Sequence, residues 1–224
     1  PEIYDEPFAD SSQIPTFLVS KMTREHVTVA LSGDGGDELF GGYDRYNFGK
    51  QIWARVGWMP AGMRQKLSLI LRSISPAKLD SLFSILKSIT PSKLRVNSPG
   101  NKIHKLSNVL DCSSPDEMYR GLVSFWDPAS VVLNAIEPPT ALTDSNLGAE
   151  LSDFRSRMMF LDAVSYMSDD ILTKVDRASM AVSLESRVPF LDHRVAEFAW
   201  KLPIDTKIKG NDVKWPLKKI LDRY

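Results

Sequence analysis

The residues best equipped for chemistry lie in one run, Ser32-Gly33-Asp34-Gly35-Gly36-Asp37-Glu38. Gly33, Gly35 and Gly36 permit positive φ and close backbone approach, so their amide N–H groups can face an anion. An acid in a phosphate-binding turn suits Mg²⁺ better than the phosphate itself, because two anions repel. The same residues also make an ordinary strand-to-helix turn carrying surface acids, and the residue types alone leave both readings open. Other motifs are excluded. The run lacks the Gly-Lys-Ser/Thr of a Walker loop, and Glu38 stands where a dinucleotide fingerprint has its third glycine. The alternating ligands and closing glutamate of an EF-hand are also missing.

Cations further along could answer an anion. In Lys207-Ile208-Lys209-Gly210-Asn211-Asp212-Val213-Lys214-Trp215-Pro216-Leu217 a glycine-containing loop enters a predicted helix with Lys214 near its start. The helix dipole disfavours a lysine there unless an anion is its partner; a surface lysine is the alternative. Lys174 and Arg177 share a helix face, with Asp170 one turn before Lys174, and a solvated charged stripe would look the same. His26, His104 and His193 lie far apart without metal-ligand spacing. Cys112 is the only cysteine, so no intrachain disulfide forms, and a reducing, cytoplasmic setting fits.

These residues need a scaffold. Val27, Val29 and Leu31 predict a strand, and the near-continuous apolar run predicts burial on both faces, as in a parallel sheet. The acid–glycine run then sits beyond the strand's carboxyl end, where open α/β sheets bind ligands. Ahead of it, Ser11 or Ser12 caps a helix with Ile14, Phe17, Leu18 and Met22 on one face. After it, one helix is predicted from Asp37 to Phe48 and another from Gln51 to Trp58. Leu67, Ile70, Leu71 and Ile74, then Leu79, Leu82, Phe83 and Leu86, have the spacing of buried helical faces. Thr90 to Asp111 reads as loop with at most one short helix. Ser114-Pro115-Asp116-Glu117 is a capping box opening a helix through Trp126. Asp127 to Gly148 reads as a long connection with one helical turn around Val131. An apolar helix from Phe154 to Met167 precedes a second with Leu172, Val175, Ala178 and Val182 on one face. Arg187 to Asp192 makes a rigid turn, and Asp192 caps a final helix with Val195, Phe198, Ala199 and Leu202 inward.

The 224 residues suffice for one large domain or two small ones. With 43% apolar and 25% charged residues, the composition is that of a soluble globular protein. Equal numbers of acids and bases, 28 each, argue against a nucleic-acid or anionic-membrane partner. Neither a membrane-spanning run nor a signal peptide is visible. The missing initiator methionine and a stop at Tyr224 within a helical pattern read as a piece of a longer protein.

Ser32 through Tyr43 resembles the second nucleotide motif of the glutamine-hydrolysing asparagine synthetases. Asp169 through Met180 and Ser183 through Asp192 are similar to a later block of that family, in the right order, and Asp5 through Ser12 also resembles it. The resemblance implies an α/β fold, the adenine nucleotide alpha-hydrolase-like PP-loop synthetase domain. Residues 1–224 would form part of it, mostly α-helical around one central parallel-sheet strand. Neither the family's first nucleotide motif, Ser-Gly-Gly-x-Asp-Ser, nor its N-terminal glutaminase domain is found, and Cys112 is no substitute for the glutaminase nucleophile. The implied reaction is an ATP-dependent, AMP-forming amidation of L-aspartate through a β-aspartyl-adenylate, using glutamine-derived ammonia from a glutaminase domain of the same parent chain. By resemblance Ser32, Gly33, Gly35 and Lys174 bind ATP, Asp37 is the Mg²⁺ ligand, and Asp34 and Lys214 are catalytic, with Lys209 the neighbouring alternative to Lys214. Asp34 stands where the family often has glutamate, which bears on the acid used; Asp10, Asp34 and Asp176 would shape that pocket. A related carboxylate-adenylating amidotransferase acting on a sugar acid or closing a β-lactam, and a non-catalytic scaffold, are the alternatives. A homodimer is also admissible, and the fragment alone is expected to be inactive.

Overall fold

The computed structural model describes residues 2–75, 77–78, 80–81, 99–124, 132–134, 136, 138–144 and 146–224. The chain divides into two compact units, residues 1–48 with 139–224, and residues 49–138.

The first unit carries the acid–glycine run. Its only sheet among the described residues is a parallel pair, β1 (Val29–Leu31) and β2 (Glu185–Arg187), in the register Val29 to Glu185, Ala30 to Ser186 and Leu31 to Arg187. Backbone bonds from Glu185 N–H to Thr28 O (2.9 Å) and Ser32 N–H to Arg187 O (2.8 Å) extend the ladder at both ends. The second strand escaped the sequence reading because Glu185-Ser186-Arg187 is polar and has no β-branched run. The expected burial of β1 on both faces is also corrected: Leu31 is 75% and Val29 38% exposed.

Helix α1 (Gln13–Arg24) packs on α8 (Thr173–Met180). Its buried residue is Ser20, whereas Ile14, Leu18, Val19 and Met22 are exposed, so the predicted apolar face points outward. The buried residues of the pair are small or polar, Ser20 on α1 and Lys174, Ala178 and Ser179 on α8. Ser12 holds the N-cap position without a side-chain cap, because its hydroxyl is used elsewhere.

The helix expected from Asp37 to Phe48 is broken in two, α2 (Gly36–Phe40) and α3 (Asp44–Val56). Gly41, at φ 69°, ends α2 in the left-handed region, and Gly42 N–H closes the turn on Asp37 O at 2.8 Å. The helix from Phe154 likewise stops early, as α7 (Phe154–Val164). A π-helical turn, Met167–Leu172, then leads into α8. Ser165 bonds back to Leu161 O at 2.6 Å and Ser168 to Ser165 O at 3.0 Å, which diverts carbonyls from the α-helical ladder.

Asp192 caps α9 (His193–Lys201) through Arg194 N–H, as expected. Leu39, Phe40 and Ala199 form a core with Phe190, Val195, Trp200, Leu202 and Leu217 around them, and Phe40 meets Phe190 edge to face at 5.7 Å. Phe198, predicted inward, is 60% exposed. Helices α10 (Ile204–Lys207) and α11 (Trp215–Leu221) complete the unit.

In the second unit, α4 (Ala61–Ser73) packs on α5 (Pro99–Asp111). Helix α5 corrects the loop expected up to Asp111. Its partner buries Arg64 and Ser68, not Leu67 and Ile70, and Ser68 bonds to Ser107 O at 2.8 Å. Ser114 caps α6 (Pro115–Val123) by accepting from Glu117 N–H, and Glu117 returns the bond to Ser113 N–H. The helix predicted at Leu79 to Leu86 lies largely outside the described residues, as do Trp126 and the turn at Val131.

Gly41 carries the break that separates α2 from α3. A Cβ there would lie 2.7 Å from the buried Ile208 side chain. Gly41→Ala should cost about 1–2 kcal/mol for the left-handed backbone alone, and more for the crowding, as a shift in the urea midpoint of the chain.

Candidate functional site

At the carboxyl end of β1 the chain folds back on itself. Ser32 Oγ donates to an Asp34 carboxylate oxygen, and Asp34 N–H donates to Ser32 Oγ at 3.3 Å, which ties the acid to the strand end. The three glycines differ in role. Gly35 has φ 78° and is buried, and a Cβ would meet Leu191 at 2.9 Å; Gly36 sits similarly against Phe190. Gly33 is exposed with open space around it.

Asp37 and Lys214 form an ion pair at 2.9 Å, each about one-third exposed. Two segments far apart in sequence meet here, and Gly42 lets them: a Cβ on Gly42 would overlap the Asp37 carboxylate and the Lys214 side chain. Lys214 is the N-cap residue of α11 at φ 52° and ψ 32°, a left-handed conformation that a non-glycine residue adopts only under constraint. Its neighbour Lys209 is turned onto the Trp215 ring, 4.7 Å from the centroid, so Lys214 is the lysine that reaches the turn.

Lys174 is buried and donates to Asp10 (2.6 Å) and to Ser12 Oγ (2.7 Å). Burial pushes the Asp10 carboxyl up, but hydrogen bonds from Lys174 and Ser12 outweigh it and hold the group below its ordinary value. Asp170 is raised by burial and then by the charge of Asp10. Arg177 faces outward to Asp5 at 2.9 Å. Lys174, Ser32 and Asp34 line one cavity of about 480 Å³, with Thr16, Ser20 and Ser186 among its walls. Asp176 is exposed and is not part of that wall.

Glu38 is no surface acid. It is 1% exposed and accepts from Tyr43 Oη at 2.7 Å. Burial, ahead of the neighbouring charges of Asp37 and Asp162, raises its carboxyl above the ordinary value. The Tyr43 hydroxyl is also pushed up, first by burial and then by Glu38, so it remains a proton donor. Behind it Arg45 donates to Asp162 through Nε (3.1 Å) and Nη2 (2.6 Å), and Tyr46 Oη donates to the same oxygen at 2.7 Å. Sequence reasoning missed this set; the aromatic and basic residues following Gly42 were its only trace.

Among the described residues no group of three or more His, Cys, Asp or Glu side chains forms a ready-made metal cage. A magnesium ion that accompanies a nucleotide needs only one or two carboxylates, the phosphates supplying the rest. Asp37, accessible beside an open glycine turn and a lysine, fits that use.

The asparagine synthase family model matches residues 1–224. The chain is 33% identical to asparagine synthetase [glutamine-hydrolyzing] 1 of Bacillus subtilis over 222 residues, covering 96% of this chain and 31% of that protein. It is 34% identical over 224 residues to a putative asparagine synthetase [glutamine-hydrolyzing] of Mycobacterium tuberculosis, covering 97% and 30%. It is 32% identical over 202 residues to a putative asparagine synthetase [glutamine-hydrolyzing] 2 of Methanocaldococcus jannaschii, covering 84% and 32%. The chain thus spans about a third of the length of these curated relatives. No solved structure matches it.

The Asp10–Lys174 pair gives a pH signature. Because the folded-state pKa of Asp10 is lowered, its stabilisation is present above the unfolded carboxylate value of 3.8 and is lost as pH falls through the folded value. Asp10→Asn should therefore lower the melting temperature at pH 7, by an amount that shrinks steadily on acidification below pH 3.8, as followed by circular dichroism.

Proposed function

The chain belongs to the asparagine synthase family, and from that premise we propose that the protein containing it amidates aspartate to asparagine at the expense of ATP. The observation that carries this reading is the meeting of Asp37 and Lys214 over Gly42, beside Ser32 and Asp34. An acid that can hold a cation and a lysine that can hold phosphate are both aimed at one open turn. A second nucleotide motif of an adenylating enzyme needs those groups. Residues 1–224 would then be part of a synthetase domain, acting with the further length that the relatives possess, and a glutaminase domain would supply ammonia.

In the first step an aspartate β-carboxylate oxygen attacks the α-phosphorus of ATP and the bond to pyrophosphate breaks. Ammonia then attacks the acyl carbon, and the C–O bond to AMP breaks. Ser32 and Gly33 border the nucleotide, Gly35 shapes the turn that receives it, and Lys174 fixes the wall of the cavity beside it. Lys214 stabilises charge gathering on the departing pyrophosphate, in a geometry set before the reaction. Mg²⁺ held by Asp37 would offset phosphate charge. Asp34, tethered by Ser32, stands at the acyl-adenylate.

One observation favours a second reading. Asp34 is one methylene shorter than the glutamate often found there, so the acid used could be other than aspartate, a sugar acid or a precursor closed to a β-lactam. The same assay decides. ATP–pyrophosphate exchange by the whole parent protein should require L-aspartate, and exchange with another carboxylic acid would keep the mechanism and change the substrate. Exchange with no acid would favour a non-catalytic scaffold. The isolated 224-residue chain should not bind Mg·ATP in the micromolar range by calorimetry.

Asp34→Asn and Lys214→Ala should abolish the exchange. Gly42→Ala, which forces the ion pair apart, should reduce it on the order of 10²-fold, the usual effect of an ångström-scale misplacement, while the circular dichroism spectrum stays unchanged.

A further inference from the structure

We propose that Tyr43, Arg45 and Asp162 are positioning residues that act through the buried carboxylate of Glu38 to hold the acid–glycine turn where Asp37 and Lys214 meet; this rests on the function proposed above. Helix α2 has five residues, too few to keep its own shape in water. Its first turn bears two consecutive acids with opposite fates, Asp37 one-third exposed and Glu38 buried. Neighbouring residues on a helix are about 100° apart, so anchoring Glu38 inward sets Asp37 sideways, toward Lys214.

The anchor is a chain of polar contacts. Tyr43 Oη donates to Glu38 Oε1 at 2.7 Å, which closes a loop from the start of α2 through Gly41 and Gly42. The Tyr43 ring is held in turn. The Arg45 guanidinium lies 4.1 Å from its centroid, and Tyr46 and Tyr166 stand edge-on at 5.7 and 6.0 Å. Arg45 is held by Asp162, itself 1% exposed on α7, which also accepts from Tyr46. Burying two carboxylates is costly unless each is fully hydrogen-bonded, and apolar side chains would fill the space more cheaply. What the polar set adds is direction: a hydrogen bond fixes an angle where a methyl group does not. Gly42, immediately before Tyr43, is the floor of the Asp37–Lys214 pair, so one hydroxyl locates both the acid and the floor beneath it.

The test uses the parent protein in ATP–pyrophosphate exchange with its acid substrate, titrated with Mg²⁺. Tyr43→Phe keeps the ring and removes the hydroxyl. It should lower kcat by about tenfold, the order of loss when a group that orients a metal site from behind is deleted, and raise the half-saturating Mg²⁺ concentration. The acid substrate's KM should stay put. Tyr43→Phe combined with Glu38→Gln should be no worse than the more damaging single variant, because both break one chain, and Arg45→Lys should repeat the Mg²⁺ shift in a protein that keeps its charge. A folded Tyr43→Phe with wild-type kcat and Mg²⁺ dependence, or a double variant whose losses multiply, overturns the inference and leaves the function standing. A wild-type parent that exchanges with no acid overturns the function and the inference with it.

Discussion

Three residues of parallel ladder hold this site together. The β1–β2 register places the end of one motif, Leu31-Ser32, beside Arg187 of another. Everything chemical is measured from that junction. Ser32 is pinned to Arg187 O and then pins Asp34; the next residues pack Gly35 and Gly36 against Leu191 and Phe190, which follow β2 directly. Parallel strands cannot be joined by a tight turn, so the intervening chain must cross over, and here it supplies the rest of the site on the way. The crossing includes Tyr43, Arg45, Asp162 and Lys174.

Charge at the site is organised in pairs. Asp10 with Lys174 is mostly buried, and Asp37 with Lys214 is at the mouth. The buried pair has a structural character: removing one member leaves a charge that water cannot reach well. The pair at the mouth is more exposed and more easily exchanged, and its lysine is held by a left-handed backbone that packing must sustain. One lysine therefore fixes the N-terminal loop to α8, while the other stands partly exposed beside the glycine turn.

The acid–glycine turn, the Asp192 cap and the Ser114 cap were legible, because each rests on local backbone chemistry. The family motifs singled out the segments that meet in space. What failed was burial. Ile14, Leu18 and Met22 have helical spacing yet face outward, because α1 and its partner bury small or polar residues, and a count of apolar positions cannot see that. The same holds for α4, where Arg64 and Ser68 are inside. Glu38 was illegible for the opposite reason: an acid reads as exposed until a tyrosine hydroxyl is found to satisfy it. Strand β2 is too short and too polar to announce itself, and only its pairing with β1 makes it a strand.

The outward face of β1 bears on how the chain behaves at high concentration. Among the described residues the strand has one partner, so its other edge presents unpaired N–H and C=O groups, flanked by exposed Val27, Val29 and Leu31. Val27 through Leu31 contains no lysine, no proline and no bulge, the features by which proteins usually blunt such an edge. An exposed apolar edge of that kind is a template for sheet growth between molecules. Val29→Lys would blunt that edge without touching the turn beyond it.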